Sequence, residues 1–194
     1  MWWWPACAPR SADLTNQLER ELVALNQVNS RLRTEVLHCG ASAPPDSIAR
    51  TLKQVLADTE AEVFTVGAET VVVLPVGYIF TDPYIPNVRE EARPAVDLLA
   101  SVLRDHEGYT VTVVGHANPT LPADVAVLYA SPTDLSFQYA WAMVEALSSD
   151  YGVPADLFTV SARGPWDPLA PEDSASGPYR NRRVEVVIYP PGHH

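Results

Sequence analysis

Between residues 62 and 189, short runs rich in β-branched side chains alternate with longer segments of helical periodicity, which restricts the chain to few folds. The predicted strands are 62–65, 70–75, 109–115, 158–162 and 184–189, and the predicted helices are 87–106 and 134–150. The order β-β-α-β-α-β-β predicts an α/β (α+β sandwich) fold, with helices on one face of a mixed sheet. The strand at 109–115 contains no charge, so we expect it to be covered on both faces.

The boundaries of this domain follow from the connecting segments. Residues 61–191 are predicted to form it, and residues 41–60 form a linker and a short amphipathic helix that lies on it. Asp134 is the expected N-cap of the second long helix. Pro94 must lie near the start of the first long helix or bend it, because proline interrupts a helix interior.

Residues 11–40 show a heptad pattern ahead of the domain. The positions at heptad spacing are Leu18, Leu22, Leu25, Asn29, Leu32, Val36 and Cys39. Such a pattern predicts a coiled-coil helix, and a single Asn at an a position favours a parallel homodimer. An amphipathic helix packed on its own domain would need similar spacing. Cys39 would then either pair with its symmetry mate as a disulfide or act as a small buried hydrophobe.

Residues 1–10 form a leader whose apolar stretch, Met1 to Cys7, is too short for a signal peptide and lacks a basic start. One interpretation is a lipoprotein-type N-terminus with Cys7 as the lipidated residue, since small Ala6 precedes it. The alternative is a leader without function. His193 and His194 at the other end are a natural tail or part of a tag, and we assign them no role.

Composition excludes several classes of function. The chain has 194 residues and a formal net charge of −11, which argues against nucleic acid and against a basic patch on anionic lipid. The two cysteines form no CxxC or Cys/His cluster, so we expect no metal site and no cofactor. No apolar run is long enough for a transmembrane helix. No phosphate loop, HExxH or nucleophile elbow is present, so the sequence indicates no enzyme.

Several local motifs occur in a characteristic order. They are Val71-Val72-Val73-Leu74-Pro75, Ile79-Phe80, Glu90-Glu91-Ala92-Arg93, Val113-Val114-Gly115-His116, Leu135-Ser136, Ser161-Ala162-Arg163-Gly164 and Asn181-Arg182-Arg183-Val184-Glu185. Together they resemble the OmpA-like, peptidoglycan-associated domain family over residues 63–189. The segment 129–136 looks most like the branch of MotB and the type VI secretion anchors.

The resemblance implies non-covalent binding of the peptidoglycan peptide stem, whose diaminopimelate end carries an ammonium and a carboxylate. In the family, an acid after the central strand meets the ammonium and an arginine on the second helix holds the carboxylate. Here those positions hold Asn118 and Tyr139, so both charges are missing. The sequence therefore predicts a degenerate form of the family's pocket. Its positions in this sequence are Gly115, His116, Asn118, Ser136, Tyr139, Arg182 and Arg183.

The resulting expectation is a periplasmic envelope protein, anchored to the outer membrane, that acts as a scaffold in an envelope, secretion or motility complex. Protein partners are expected, while peptidoglycan binding is weakened or lost. The alternative is a functional peptidoglycan anchor with a modified pocket. Arg182 or Arg183 would face an anion in that case, or else form a structural salt bridge.

Overall fold

A computed structural model describes residues 47–105 and 108–190. The leader with Cys7, the heptad segment from Leu18 to Cys39 and the pair His193 and His194 therefore lie outside the described residues.

Five strands form one mixed sheet, and two more form a small hairpin. In chain order they are β1 (Glu62–Val66), β2 (Glu69–Pro75), β3 (Phe80–Asp82), β4 (Ile85–Val88), β5 (Thr110–His116), β6 (Phe158–Gly164) and β7 (Arg183–Tyr189). The sheet order is β1-β2-β7-β5-β6, and β3 pairs with β4. Only β5 and β6 run parallel within the sheet. This confirms the mixed α/β fold predicted from the sequence.

Along the chain, most of the helices follow one strand and precede the next. They are α1 (Ser47–Val55), α2 (Val76–Ile79), α3 (Arg93–Asp105), α4 (Pro132–Glu145) and α5 (Gly177–Asn181). A 3-10 turn precedes α3, a π-helical turn extends α4 over Ala146–Asp150, and a second 3-10 turn precedes β6. The apolar faces of α1, α3 and α4 form the core with the inner face of the sheet.

The predicted start of the first long helix was wrong. The helix was expected to begin at residue 87, but residues 85–88 belong to β4. Helix α3 begins only at Arg93. Pro94 is thereby the second residue of the helix, where its missing N–H leaves no intrahelical hydrogen bond unmade. The position of Pro94 agrees with the expectation that it lies near the helix start.

The predicted N-cap of the second long helix was also wrong. Ser131 is the N-cap of α4, and its Oγ accepts a hydrogen bond from the backbone N–H of Asp134 at 3.1 Å. Asp134 instead lies in the first turn, where its carboxylate accepts from the N–H of Ala130 at 3.1 Å. Both residues satisfy backbone donors that the helix start leaves free.

The two faces of β5 are covered in different ways, and Val114 and His116 on the face away from the helices are also buried, as expected. Val111 and Val113 are buried against the helices. Thr112 and Val114, on the opposite face, line a cavity together with residues of the other four strands of the sheet. Among the described elements, helices α1, α3 and α4 pack on one face only, and we call the other side the open face of the sheet.

Candidate functional site

Gly115 and Ser136 lie where α4 crosses β5. A Cβ atom built on Gly115 would lie 1.7 Å from the backbone oxygen of Ser136, so only glycine allows this approach. The Ser136 hydroxyl donates to Thr133 O at 2.7 Å and accepts from the N–H of Gly164 at 3.0 Å. Both predicted pocket residues therefore join the helix to the sheet, and Ser136 is completely buried.

His116 and Arg183 face the open side of the sheet. They are directly paired across β5 and β7, and both are almost completely buried. Arg183 Nε donates to Glu185 Oε1 at 2.6 Å, while His116 Nε2 lies 3.5 Å from Glu185 Oε2. Neither ring nitrogen of His116 has a well-aligned hydrogen bond to the described residues. The arginine thus forms the structural ion pair that the sequence left as one of two possibilities.

The surroundings of this cluster shift the pKa values of His116 and Glu185. Burial alone would raise the pKa of Glu185, but the interactions with His116 and Arg183 outweigh it and hold that pKa at about 2. Burial lowers the pKa of His116, and the nearby Glu185 only partly offsets this. At neutral pH the cluster is therefore an ionised Arg183–Glu185 pair beside a neutral imidazole.

Tyr139, at the position where the resemblance led us to expect an arginine, is completely buried. Its ring stacks on Phe80 with centroids 5.9 Å apart, and its hydroxyl donates to the carbonyl of Pro83. Burial raises the pKa of the phenol far above its usual value, so it stays neutral. Tyr139 therefore fastens the β3–β4 hairpin to α4, and its side chain offers no charge to a ligand.

Asn118 and Arg182, the residue that follows α5, both contact this helix through the same carbonyl group. Asn118 Nδ2 and Arg182 Nε each lie 3.2 Å from the carbonyl oxygen of Pro178, to which both donate. Asn118 Oδ1 is shielded from solvent and has no hydrogen-bond partner among the described residues. The arrangement offers one guanidinium and one amide oxygen, with no carboxylate at the position where the family has its acid.

The seven predicted site residues thus form three pairs and one single residue, Tyr139, which is buried in the core against Phe80. Gly115 and Ser136 set the distance between helix and sheet, His116 and Arg183 lie on the open face, and Asn118 lies with Arg182 near α5. Strand alternation explains the split, because neighbouring residues on a strand point to opposite faces.

Asn181 and Glu185 belong to the terminal motif but were not among the predicted site residues, and both have structural roles. Asn181 Oδ1 accepts from the N–H groups of Leu169 and Ala170, and its Nδ2 donates to Ala170 O and to Glu172. These hydrogen bonds connect Asn181 to the proline-rich loop that precedes α5 and stabilise that loop. Alternation along β7 was the available signal for Glu185, because residues 183 and 185 must share a face.

Among the helices of the described residues, none is long and apolar enough to cross a membrane. Within residues 47–105 and 108–190, no group of His, Cys, Asp and Glu side chains is arranged to hold a metal ion.

Comparison with known proteins gives solved structures of the same fold. One is the cell wall anchor of the type VI secretion system from Pseudomonas aeruginosa, with 29% identity, a TM-score of 0.64, and coverage of 76% of this chain and 99% of that one. Another is the periplasmic domain of Helicobacter pylori MotB, with 19% identity, a TM-score of 0.63, and coverage of 70% and 83%. A putative MotB-like protein from Desulfovibrio vulgaris has 16% identity, a TM-score of 0.63, and coverage of 89% and 99%.

No family model and no curated protein sequence matches the chain. The likeness therefore rests on structure, and it agrees with the order of the motifs along the sequence. On this basis the described part of the chain has the OmpA-like fold, and it is similar to the type VI secretion anchor and to the periplasmic domain of MotB.

Proposed function

We propose that this protein is a non-enzymatic scaffold or anchor of a bacterial cell envelope, with its OmpA-like domain in the periplasm and with weakened or lost peptidoglycan binding. The observation that carries the proposal is Tyr139. It occupies the position of the family's arginine, and it is buried beneath the β3–β4 hairpin instead of facing a ligand. The similar structures, a cell wall anchor and a periplasmic MotB domain, support the location.

The energetic argument concerns the two missing charges. A diaminopimelate end needs a carboxylate for its ammonium and a guanidinium for its carboxylate. Each charge-assisted hydrogen bond contributes about 1.5–3 kcal/mol. Loss of both would weaken binding by roughly two to four orders of magnitude. Neutral Tyr139 and the amide of Asn118 replace neither charge.

A second possibility keeps peptidoglycan binding in a modified pocket. Its support is the pair formed by Asn118 and Arg182, which meet at the carbonyl of Pro178. The unpartnered Oδ1 of Asn118 would accept from the ligand ammonium, and Arg182 would hold the carboxylate. Such a site has one cation and no anion, so it would bind a carboxylate better than an ammonium.

Co-sedimentation with purified peptidoglycan sacculi separates the two possibilities. The wild-type chain is compared with Asn118→Asp, which restores the acid, and with Arg182→Ala. Arg104→Ala on α3 is the matched control for loss of a cation. If binding is lost, wild type and Arg182→Ala both stay in the supernatant. Wild-type pelleting that Arg182→Ala abolishes and Arg104→Ala preserves would establish the modified pocket instead.

The proposal extends to the segment before the domain. The heptad with Asn29 would form a parallel homodimer, and Cys7 would carry a lipid that anchors the chain to the outer membrane. Light scattering of the full chain tests the dimer, since Asn29→Leu is expected to change the oligomeric state. A monomer in both forms would contradict it. Mass spectrometry of protein extracted from membranes tests the lipid on Cys7.

A further inference from the structure

The open face of the sheet is unusually apolar for a face on which α1, α3 and α4 do not pack. A sheet face exposed to water normally carries polar side chains at alternate positions. Here the outward positions of the central strands carry Val71 and Val73 on β2, Val187 on β7 and Val114 on β5. Val73, Val114 and Val187 are each less than a tenth exposed, so they form the bottom of a recess. Helices α1, α3 and α4 pack on the other side, and α5 lies at one end of this face.

The open face contains two adjoining cavities that form one groove. The first has a volume of about 420 Å³ and extends from Val66 on β1 to Ser161 on β6. The second, of about 500 Å³, lies beside β1 and α5. They share Val73 and Leu169 in their linings, and we call the two together the open-face groove. Each has the size of a binding site.

Acidic side chains predominate around the groove. The lining of the two cavities includes five carboxylates and two guanidinium groups. The carboxylates are Glu60, Glu62, Glu69, Asp167 and Glu185, and the guanidinium groups are Arg163 and Arg180. Arg180 partly compensates Glu62, with Nη2 and Oε2 3.7 Å apart, and Arg183 compensates Glu185, with Nε and Oε1 2.6 Å apart. The other carboxylates, Glu60, Glu69 and Asp167, outnumber Arg163. The groove therefore combines a valine floor with a negative rim, which favours a ligand of positive charge.

We propose that the open-face groove binds an amphipathic segment of another envelope protein, with apolar side chains on the valine floor and Lys or Arg beside the acidic rim. This rests on the proposed function, because it specifies the partner surface of a scaffold. The groove crosses five strands, a distance of about 19 Å at the usual strand spacing. A helical segment of about 13 residues spans that distance.

Two synthetic probes test the proposal against the full chain. Both are labelled helical peptides of about 14 residues with leucine at helical spacing, and the remaining positions are lysine in one and glutamate in the other. Fluorescence anisotropy measures their affinities. The variants are Glu69→Lys at the rim and Val71→Asp on the floor, with thermal unfolding to show that each still folds. Glu145→Lys, exposed on α4, is the control with the same change of net charge.

We expect the lysine peptide to bind at least tenfold more tightly than the glutamate peptide. Glu69→Lys weakens that binding about fivefold, Val71→Asp abolishes it, and Glu145→Lys leaves it unchanged. Absent binding, equal affinity for the two peptides, or equal effects of Glu69→Lys and Glu145→Lys would overturn the proposal.

Other occupants give different outcomes. Binding that appears only after removal of residues 1–46 would show that the chain's own N-terminal segment fills the groove. A dimer that Val71→Asp dissociates would show that a second copy does. Either result overturns the proposal. Sacculus co-sedimentation and the Asn29→Leu test do not depend on the groove, so the proposed function can fail or stand separately.

Discussion

At the residue scale, the junction between α4 and the sheet depends on side chains that are very small or absent. Gly115 lets the backbone of Ser136 approach β5, and Gly164 adopts a φ of 54°, which favours glycine. The Ser136 hydroxyl then links the two glycine-containing strands by its bond to the N–H of Gly164. In this chain, the family motifs around these residues encode packing of the helix on the sheet.

Gly115→Ala is expected to destabilise the fold by more than about 3 kcal/mol, beyond the usual cost of overpacking. The new Cβ would overlap backbone atoms of Ser136, which can move only if α4 moves. Gly77→Ala is the control, since its Cβ would meet the ring edge of Tyr179 at 2.7 Å, and that side chain can turn away. Urea unfolding measures both. Equal losses of stability would contradict this explanation.

His116 is expected to make stability fall as the pH drops below about 6.5. Its pKa is lowered in the folded protein, so below 6.5 the unfolded chain binds a proton that the folded chain does not. The loss is up to about 1.4 kcal/mol per pH unit until the folded pKa is reached. Protonation of Glu185 affects stability only at lower pH, between about pH 4.5 and pH 2. The charged groups that act on the imidazole are Glu185, Arg183 and Asp167.

Urea unfolding at pH 7.5, 6.5 and 5.5 measures this effect. His116→Gln should flatten the profile over that range, because it removes the titrating group and keeps a polar side chain. If the variant and the wild type lose stability in parallel, another group is responsible.

At the scale of elements, two tyrosine hydroxyls hold the turn of the β3–β4 hairpin. Tyr139 donates to the carbonyl of Pro83, and Tyr129 donates to the carbonyl of Tyr84 at 2.6 Å. A hairpin of this length has little stability of its own. Its position against α4 therefore depends on these two contacts and on the stacking of Tyr139 on Phe80.

The double variant Tyr129→Phe, Tyr139→Phe is expected to loosen this hairpin without unfolding the sheet. Each lost hydrogen bond costs about 1 kcal/mol, and both rings keep their apolar contacts. Amide hydrogen exchange at residues 82–88 should speed up, while exchange in β5 and β7 stays slow. Tyr84→Phe in the same turn is the control. Unchanged exchange in the hairpin would show that the hydroxyls do not hold it.

Long elements with a clear period were predictable from the sequence, whereas short ones were not. The strands of the main sheet follow from β-branched runs, and α3 and α4 follow from their apolar spacing. The β3–β4 hairpin was not predicted, because β3 has only three residues and β4 contains a proline. The start of α4 was misplaced because Ser131 and Asp134 are both good capping residues. Only the hydrogen bond between them distinguishes cap from first turn.

At the scale of the whole molecule, the sheet separates two surfaces with different chemistry. The motifs predicted the family's pocket positions from their order along the chain. Alternation then places His116 and Arg183 on the open face, while Tyr139 enters the core. Burial of Tyr139 depends on the hairpin above it, which the sequence pattern did not reveal. The sequence therefore indicated that charges are missing, but not that the pocket position is filled.

Helix α1 is expected to be indispensable for the stability of the whole domain. Ile48, Leu52 and Leu56 are almost completely buried in the core. Burying such side chains stabilises a fold by about 1.5–3 kcal/mol each, so their combined contribution is comparable to the net stability of an ordinary domain. A fragment of residues 46–190 should unfold cooperatively in urea, whereas a fragment of residues 61–190 should not.

Point variants within residues 46–190 refine this prediction. Leu52→Ala should lower the free energy of unfolding by about 2–5 kcal/mol, since it opens a cavity beside the sheet. Lys53→Ala, on the exposed side of the same helix, should change it by less than about 0.5 kcal/mol. If the shorter fragment unfolds as cooperatively as the longer one, or if the two substitutions have equal effects, α1 is an appendage and the domain begins at β1.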